Sequence, residues 1–113
     1  MKYLLQVRFH TASDTSEPPS DQEGAAIRAQ YLRIRQDPGV VDAHQLQPAD
    51  TATTVRVRAG HVEQTADVPL DPDQALDGYY LLDVPSHEAA VAFAAQIPAA
   101  ATGGSVEIRP VLA

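Results

Sequence analysis

"GYYLLDVPSHEAAVAFAAQI", residues 78–97, changes hydrophobic period partway along and so decides the fold. Its first part, "GYYLLDV", is a strand rich in aromatic and aliphatic side chains. Ser86 then stands as a helix N-cap, and Glu88 follows where the positive helix end favours a carboxylate. Beyond the cap, Ala90, Phe93, Ala94 and Ile97 recur at helical spacing and form one apolar stripe. The alanines let such a helix lie close against a sheet. The helix is expected to run over residues 87–97, where "PAAATGG" breaks it. A last strand, "SVEIRPV", follows with Val106 and Ile108 inward and Glu107 and Arg109 outward.

Working back toward the N-terminus, "TADVPLDPDQALDGYY" (65–80) enters this strand through four aspartates and several turn residues. A calcium loop of the EF-hand kind needs a glycine at its sixth position. Counted from Asp71 that position is Leu76, so the match fails. Two readings stay open: a nonspecific cation site, or a solvated connection. Before it, "TTVRVR" and "HVEQT" flank Ala59-Gly60 as a hairpin. Thr54, Arg56 and Arg58 share one face, and Val55 and Val57 the other. Alanine resists positive φ, so a bulged turn with Gly60 left-handed is expected.

"VVDAHQLQ" is a strand with Val41 and Ala43 on one face and Asp42 and His44 on the opposite one. The helix ahead of it carries Ile27, Tyr31 and Ile34 on one stripe and Arg28, Arg33 and Arg35 mostly outside it. A capping box, "SDQE", opens that helix at Ser20 and Glu23, and "DPG" at 37–39 stops it. "KYLLQVRF" alternates strictly, with Tyr3, Leu5, Val7 and Phe9 on one face.

The order is therefore β-α-β-(ββ)-β-α-β. Two helices on one face of an antiparallel sheet make an α+β sandwich of ferredoxin-like type with an inserted hairpin, the strand at 105–110 belonging to the sheet. The uncovered sheet face would carry Leu4, Gln6, Arg8, Asp42, His44, Arg56, Tyr79, Asp83 and Glu107. A face half polar and half apolar is commonly covered by a second copy of itself, so a homodimer is expected.

Composition bounds the function. At 113 residues the chain is expected to be a single domain. Its net charge of −7 is uneven: residues 59–113 carry one basic side chain, Arg109, against eight acids. That field repels phosphate backbones and argues against nucleic acid as a partner. No apolar run approaches the ~20 residues of a membrane span, and the start lacks a signal-peptide pattern, so a cytoplasmic location is expected with no membrane partner. There is no cysteine, and the four histidines show no zinc spacing, so no metal is assigned.

"MKYLL" at the start, "LQPADTATTVRVRAG" at 46–60, "LDGYYLLDV" at 76–84 and "AAQIPAAATGGSVEIRPV" at 94–111 together resemble the YCII-related family. The nearest branch is the one named for an Asp-Gly-Pro-Phe motif, here worn to Asp67-Val68-Pro69-Leu70 and followed by "DPDQA" without a lysine. The resemblance implies a ferredoxin-like subunit pairing into a dimeric α+β barrel with a cleft in each barrel. For enzymes of this fold group it implies lyase or isomerase chemistry on small ring compounds, without a cofactor. It also implies an alternative, a non-catalytic accessory protein associated with an extracytoplasmic-function sigma factor. Some relatives carry a His–Asp pair with the histidine in the first helix and the aspartate near the end of the second. This chain has no histidine in its first helix and Gln96-Ile97 at the other position, so that pair does not carry over.

What acid–base chemistry the chain offers lies elsewhere. Asp42 and His44, two apart on one strand, present a carboxylate and an imidazole on one face. Such a carboxylate orients the ring as a general base. The plainer reading is a solvated or dimer-interface pair. Arg8, Arg56, Tyr79 and Glu107, with His10 just past the first strand, make up the expected ligand-binding set for a small organic molecule. Cross-strand ion pairing of Arg8 or Arg56 with Glu107 competes with that role.

Overall fold

The computed structural model describes residues 1–8, 21–66 and 76–112. Strand β1 (Lys2–Arg8) is followed by helix α1 (Asp21–Arg35) and strand β2 (Val40–Gln45). A 3-10 turn (Ala49–Thr51) then precedes the hairpin strands β3 (Thr54–Arg58) and β4 (His61–Thr65). Strand β5 (Gly78–Asp83), helices α2 (His87–Ala94) and α3 (Pro98–Ala101), and strand β6 (Ser105–Pro110) complete the order. The predicted capping residue Ser20 and the side chain of Glu23 lie outside the described residues, as does Phe9.

Four strands form one antiparallel sheet in the order β2-β5-β1-β6. Strands β1 and β2 both run antiparallel to β5, which lies between them, so they run parallel to each other. This is the split βαβ arrangement, consistent with a ferredoxin-like α+β fold. The last strand joins at the edge, beside β1.

Alternation sets the two faces. Tyr3, Leu5 and Val7 are buried, while Leu4, Gln6 and Arg8 between them are half-exposed. Gly78, Tyr80 and Leu82 of β5 are buried likewise. Against them α2 and α3 set Ala90, Phe93, Ala94, Ile97 and Ala99, all buried. The Phe93 ring meets Tyr80 edge-on at 5.4 Å between centroids. Ser86 caps α2 as expected, its Oγ accepting from the Ala89 amide at 3.2 Å.

The structure departs from the sequence reading in four places. Helix α2 ends at Ala94 rather than Ile97, because proline disfavours helical geometry at the residue before it. Ile97 is extended, and Pro98 opens α3 at a first-turn position where its missing N–H is not needed. In β2 the register slips between Val40 and Asp42. Val41 is therefore the extra residue of a bulge and 53% exposed, and Val40 takes its place against the core. Asp42 and His44 still share the uncovered face, opposite Leu81 and Tyr79.

The other two corrections concern the hairpin. Its turn is not bulged: Arg58 pairs with His61 directly, and both Ala59 (φ 48°) and Gly60 (φ 79°) are left-handed. The mirror-image two-residue turn matches strand twist well enough to hold even an alanine there. An L-residue in that region costs roughly 1–2 kcal/mol. Ala59→Asn is therefore expected to steady the hairpin by about 0.5–1 kcal/mol, since asparagine tolerates the conformation. Hydrogen exchange at the hairpin amides should slow about two- to five-fold.

The hairpin also forms a two-stranded sheet of its own. The 3-10 turn begun by Pro48 leads the chain off the end of β2 before β3 starts. Arg56 and Arg58 are thus not on the uncovered face of the main sheet. Arg56 sits across from Glu63, and Arg58 Nε lies 3.6 Å from Glu63 Oε2. No helix among the described residues is long and apolar enough to cross a membrane.

Candidate functional site

On the uncovered face the registers line up His44, Tyr79, Gln6 and Glu107 in one row across the four strands. The neighbouring row is Asp42, Leu81, Leu4 and Arg109. The bulge at Val41 sets this alignment, because everything beyond it is displaced by one residue relative to β5. Asp42 is the hub. His44 Nε2 lies 3.0 Å from Asp42 Oδ1, and the Tyr79 hydroxyl donates to Oδ2 at 3.0 Å. The Ala43 amide donates to Oδ1 at 3.0 Å. The His44 and Tyr79 rings stand 5.8 Å apart, tilted at 52°. The cluster is open to solvent, with the side chains of His44 and Asp42 57% and 47% exposed.

Hydrogen bonding governs the charge of this cluster. The bond from Tyr79 is the main cause holding the Asp42 carboxyl below its ordinary range; partial desolvation opposes it and His44 adds to it. The same bond pushes the Tyr79 phenol up. A carboxyl lowered in the folded state adds stability above its unfolded pKa, and that stability is lost as pH falls through the folded value. Tyr79→Phe is expected to move the Asp42 titration up toward the ordinary carboxylate range. A carbon-13 titration of the Asp42 carboxyl would register it. The effect on stability at neutral pH should be slight, because the pair is solvated.

Arg8 and Glu107 face the same side but are engaged with each other at 3.4 Å, and Arg8 also donates to Gln6 Oε1 at 3.1 Å. This is the cross-strand ion pair weighed above. Strand spacing puts the α-carbons of Arg8 and His44 about 12 Å apart. His61 and His87 are exposed, as expected of surface residues. His10, and the loop at 67–75 with the worn motif, lie outside the described residues.

A groove of about 340 Å³ opens between α1 and the edge strand β2. Ala43 faces the helix with only a methyl group, which leaves the space. From α1 come Arg28, Tyr31, Leu32 and Arg35; His44, Tyr79 and Tyr80 reach it from the sheet. The Tyr31 hydroxyl is buried near the Ala99 backbone without an aligned partner among the described residues. Burial, reinforced by Tyr80 and Asp77, pushes its pKa up to about 12. Burial also raises Tyr80, against the pull of Arg35, and raises the Asp77 carboxyl.

The structure thus joins Asp42, His44 and Tyr79, keeps Arg8 and Glu107 on the same face, and separates Arg56 from them. Sequence reasoning passed over the α1 residues of the groove. Their signal was present: Arg28 and Arg35 are seven apart, with Leu32 between them, and so lie along one side of the helix. No curated protein matches the chain. Residues 1–113, however, match the family model of the YCII-related domain, and with the antiparallel α+β sheet agreeing, the chain belongs to the YCII-related domain family.

Proposed function

We propose that the protein is a cytoplasmic homodimer that binds a small carbonyl or ring compound beside Asp42, His44 and Tyr79, with His44 as acid–base catalyst. The observation that carries this reading is the 3.0 Å contact from His44 Nε2 to Asp42. It assigns the Nε2 proton to the carboxylate and leaves Nδ1 as the nitrogen that exchanges a proton. Nδ1 would take a proton from the carbon next to a carbonyl, the electron pair moving onto the carbonyl oxygen. Return of the proton to a different carbon is an isomerisation; loss of a β-substituent from the enolate is a lyase step. Neither step requires a cofactor. Arg8 and Arg109 are cations on this face able to answer the enolate charge; Arg56, on the hairpin, drops out of that role.

Pairing of the uncovered faces as a dimeric barrel would convert an open sheet into a walled cleft. Half-exposed Leu4 and Leu81 support it, since covering them removes apolar surface from water at about 25 cal/mol per Å². The Asp-Gly-Pro-Phe branch is likewise a proposal, resting on the quoted sequence blocks.

The test is exchange of α-protons for deuterium in small keto acids and lactones, followed by NMR. The protein should accelerate exchange for at least one compound, and His44→Gln should reduce that rate about 10²–10⁴-fold with the fold intact. Retained exchange in His44→Gln would remove the histidine from the mechanism. Absence of both exchange and binding across the panel would favour the sigma-factor accessory reading.

A further inference from the structure

We infer that the groove between α1 and β2 is an anchoring subsite for an organic acid, its carboxylate held by Arg28 or Arg35 and its apolar body lying on Tyr31, Leu32 and Tyr80. The inference rests on the reading of His44 as the reacting group, and supplies that reading with a substrate class.

Three observations converge on it. The volume, about 340 Å³, falls within the range of small-molecule sites. The walls are aromatic and aliphatic, whereas among the described residues the only lysines or arginines are the two arginines, and no carboxylate lines the groove. Seven residues place the arginines about 10.5 Å apart along the helix axis, with Leu32 between them. A body packed on Leu32 therefore meets a guanidinium at either end.

Charge makes the arrangement notable in this chain. It carries only eight lysines and arginines against fifteen acids. Among the described residues, Arg8 and Arg58 are paired with glutamates, but no such ion pair engages Arg28 or Arg35. Two acids, one on β2 and one just before β5, are accounted for otherwise. Asp42 accepts from Tyr79 and sits against His44, while Asp77 is half-buried with its carboxyl raised. A guanidinium with no protein carboxylate on it among the described residues, next to an apolar wall, suits a planar carboxylate through paired hydrogen bonds. His44 and Tyr79 also border the groove, where it meets the edge of β2; an acid long enough to pass round that edge would bring its far end to the face that carries the His44 ring.

Benzoate and its neutral isostere benzamide separate the charge requirement from simple apolar binding. Amide resonances of Leu32, Ala43 and Gln45 should shift saturably with benzoate, and benzamide should bind at least ten-fold more weakly. Arg28→Gln or Arg35→Gln should weaken benzoate about ten-fold and leave benzamide unchanged, with lysine at either position restoring part of the loss. Both arginines are exposed, so these variants should fold. Equal binding of the two probes, no saturable shift at millimolar concentration, or shifts confined to Gln6 and Leu81 and indifferent to both variants would each overturn the inference. The two readings fail separately. Arginine-dependent benzoate binding without proton exchange sinks the catalytic role of His44 and leaves the subsite standing; exchange that ignores both arginines does the reverse.

Discussion

Gly78→Ala is expected to lower stability by about 2–4 kcal/mol and to scatter the Asp42–His44–Tyr79 cluster in the same step. A methyl group at Gly78 would stand 2.8 Å from the His44 carbonyl oxygen and 3.3 Å from the Gln45 α-carbon. Both are backbone atoms, so no rotamer change relieves the contact. Strand β2 must instead move away from β5, and it pairs with no other strand of the sheet. Overpacking of this kind costs about 1–3 kcal/mol. Each strained ladder bond near it, including Leu46 N to Asp77 O at 2.7 Å, adds about 1 kcal/mol. Small domains have only about 5–15 kcal/mol in total, so the melting temperature should fall by roughly 10–20 °C. The displacement also separates His44 and Asp42 from Tyr79. The Asp42 carboxyl should then titrate higher, as expected for Tyr79→Phe, although Tyr79 is intact. A melting curve and an Asp42 titration both unchanged from wild type would show that β2 tolerates the shift.

This dependence of the cluster on one close strand approach explains what the sequence could and could not disclose. Alternation in residues 2–8 and the stripe Ala90, Phe93, Ala94, Ile97 are local periodicities, so both elements were legible along with the sheet's two faces. Asp42 and His44 were legible as a pair for the same reason: two residues apart on a strand means one face. Their partner Tyr79 was legible only as a resident of that face. Whether Tyr79 comes within reach of Asp42 depends on the register against β5, and the register depends on the bulge at Val41. Nothing in "VVDAH" marks which valine is extra; the competition for the core decides it. The hairpin presented a similar problem. Its strands were legible, but its exit from the main sheet is set by the backbone path through Pro48 and the 3-10 turn. The groove was hidden for a different reason. Arg28 and Arg35 satisfy the ordinary rule that charged residues lie outside the apolar stripe, and they gain a shared wall only because Ala43 is small.

Leu5→Ala and Leu4→Asp form the sharpest contrast the fold offers, since the two residues are adjacent and point to opposite faces. Leu5 is 0% exposed on a central strand, flanked by Tyr80 of β5 and Ile108 of β6. Its truncation leaves a cavity bounded by a sheet on one side and α2 and α3 on the other, which can close only in part. The expected loss is about 2–5 kcal/mol. With a urea slope of about 1–3 kcal/mol per molar, the unfolding midpoint should fall by roughly 1–3 M. That loss should not vary with protein concentration, because the contacts removed all lie within one chain. Leu4 is half-exposed on the uncovered face, beside Leu81 and Arg109. Within a single chain, Leu4→Asp should cost little, as its carboxylate can reach water and Arg109 lies directly across. In the proposed dimer the same change buries a charge in the contact, and even with Arg109 opposite, the desolvation cost offsets the attraction and the apolar contact of the leucine is lost. Light scattering should then report twice the 12.1 kDa chain mass for wild type and for Leu5→Ala below its melting temperature, but the single chain for Leu4→Asp. A dimer that survives Leu4→Asp would place the pairing surface elsewhere, and the exposed Val55, Val57 and Val62 of the hairpin would be the next face to change.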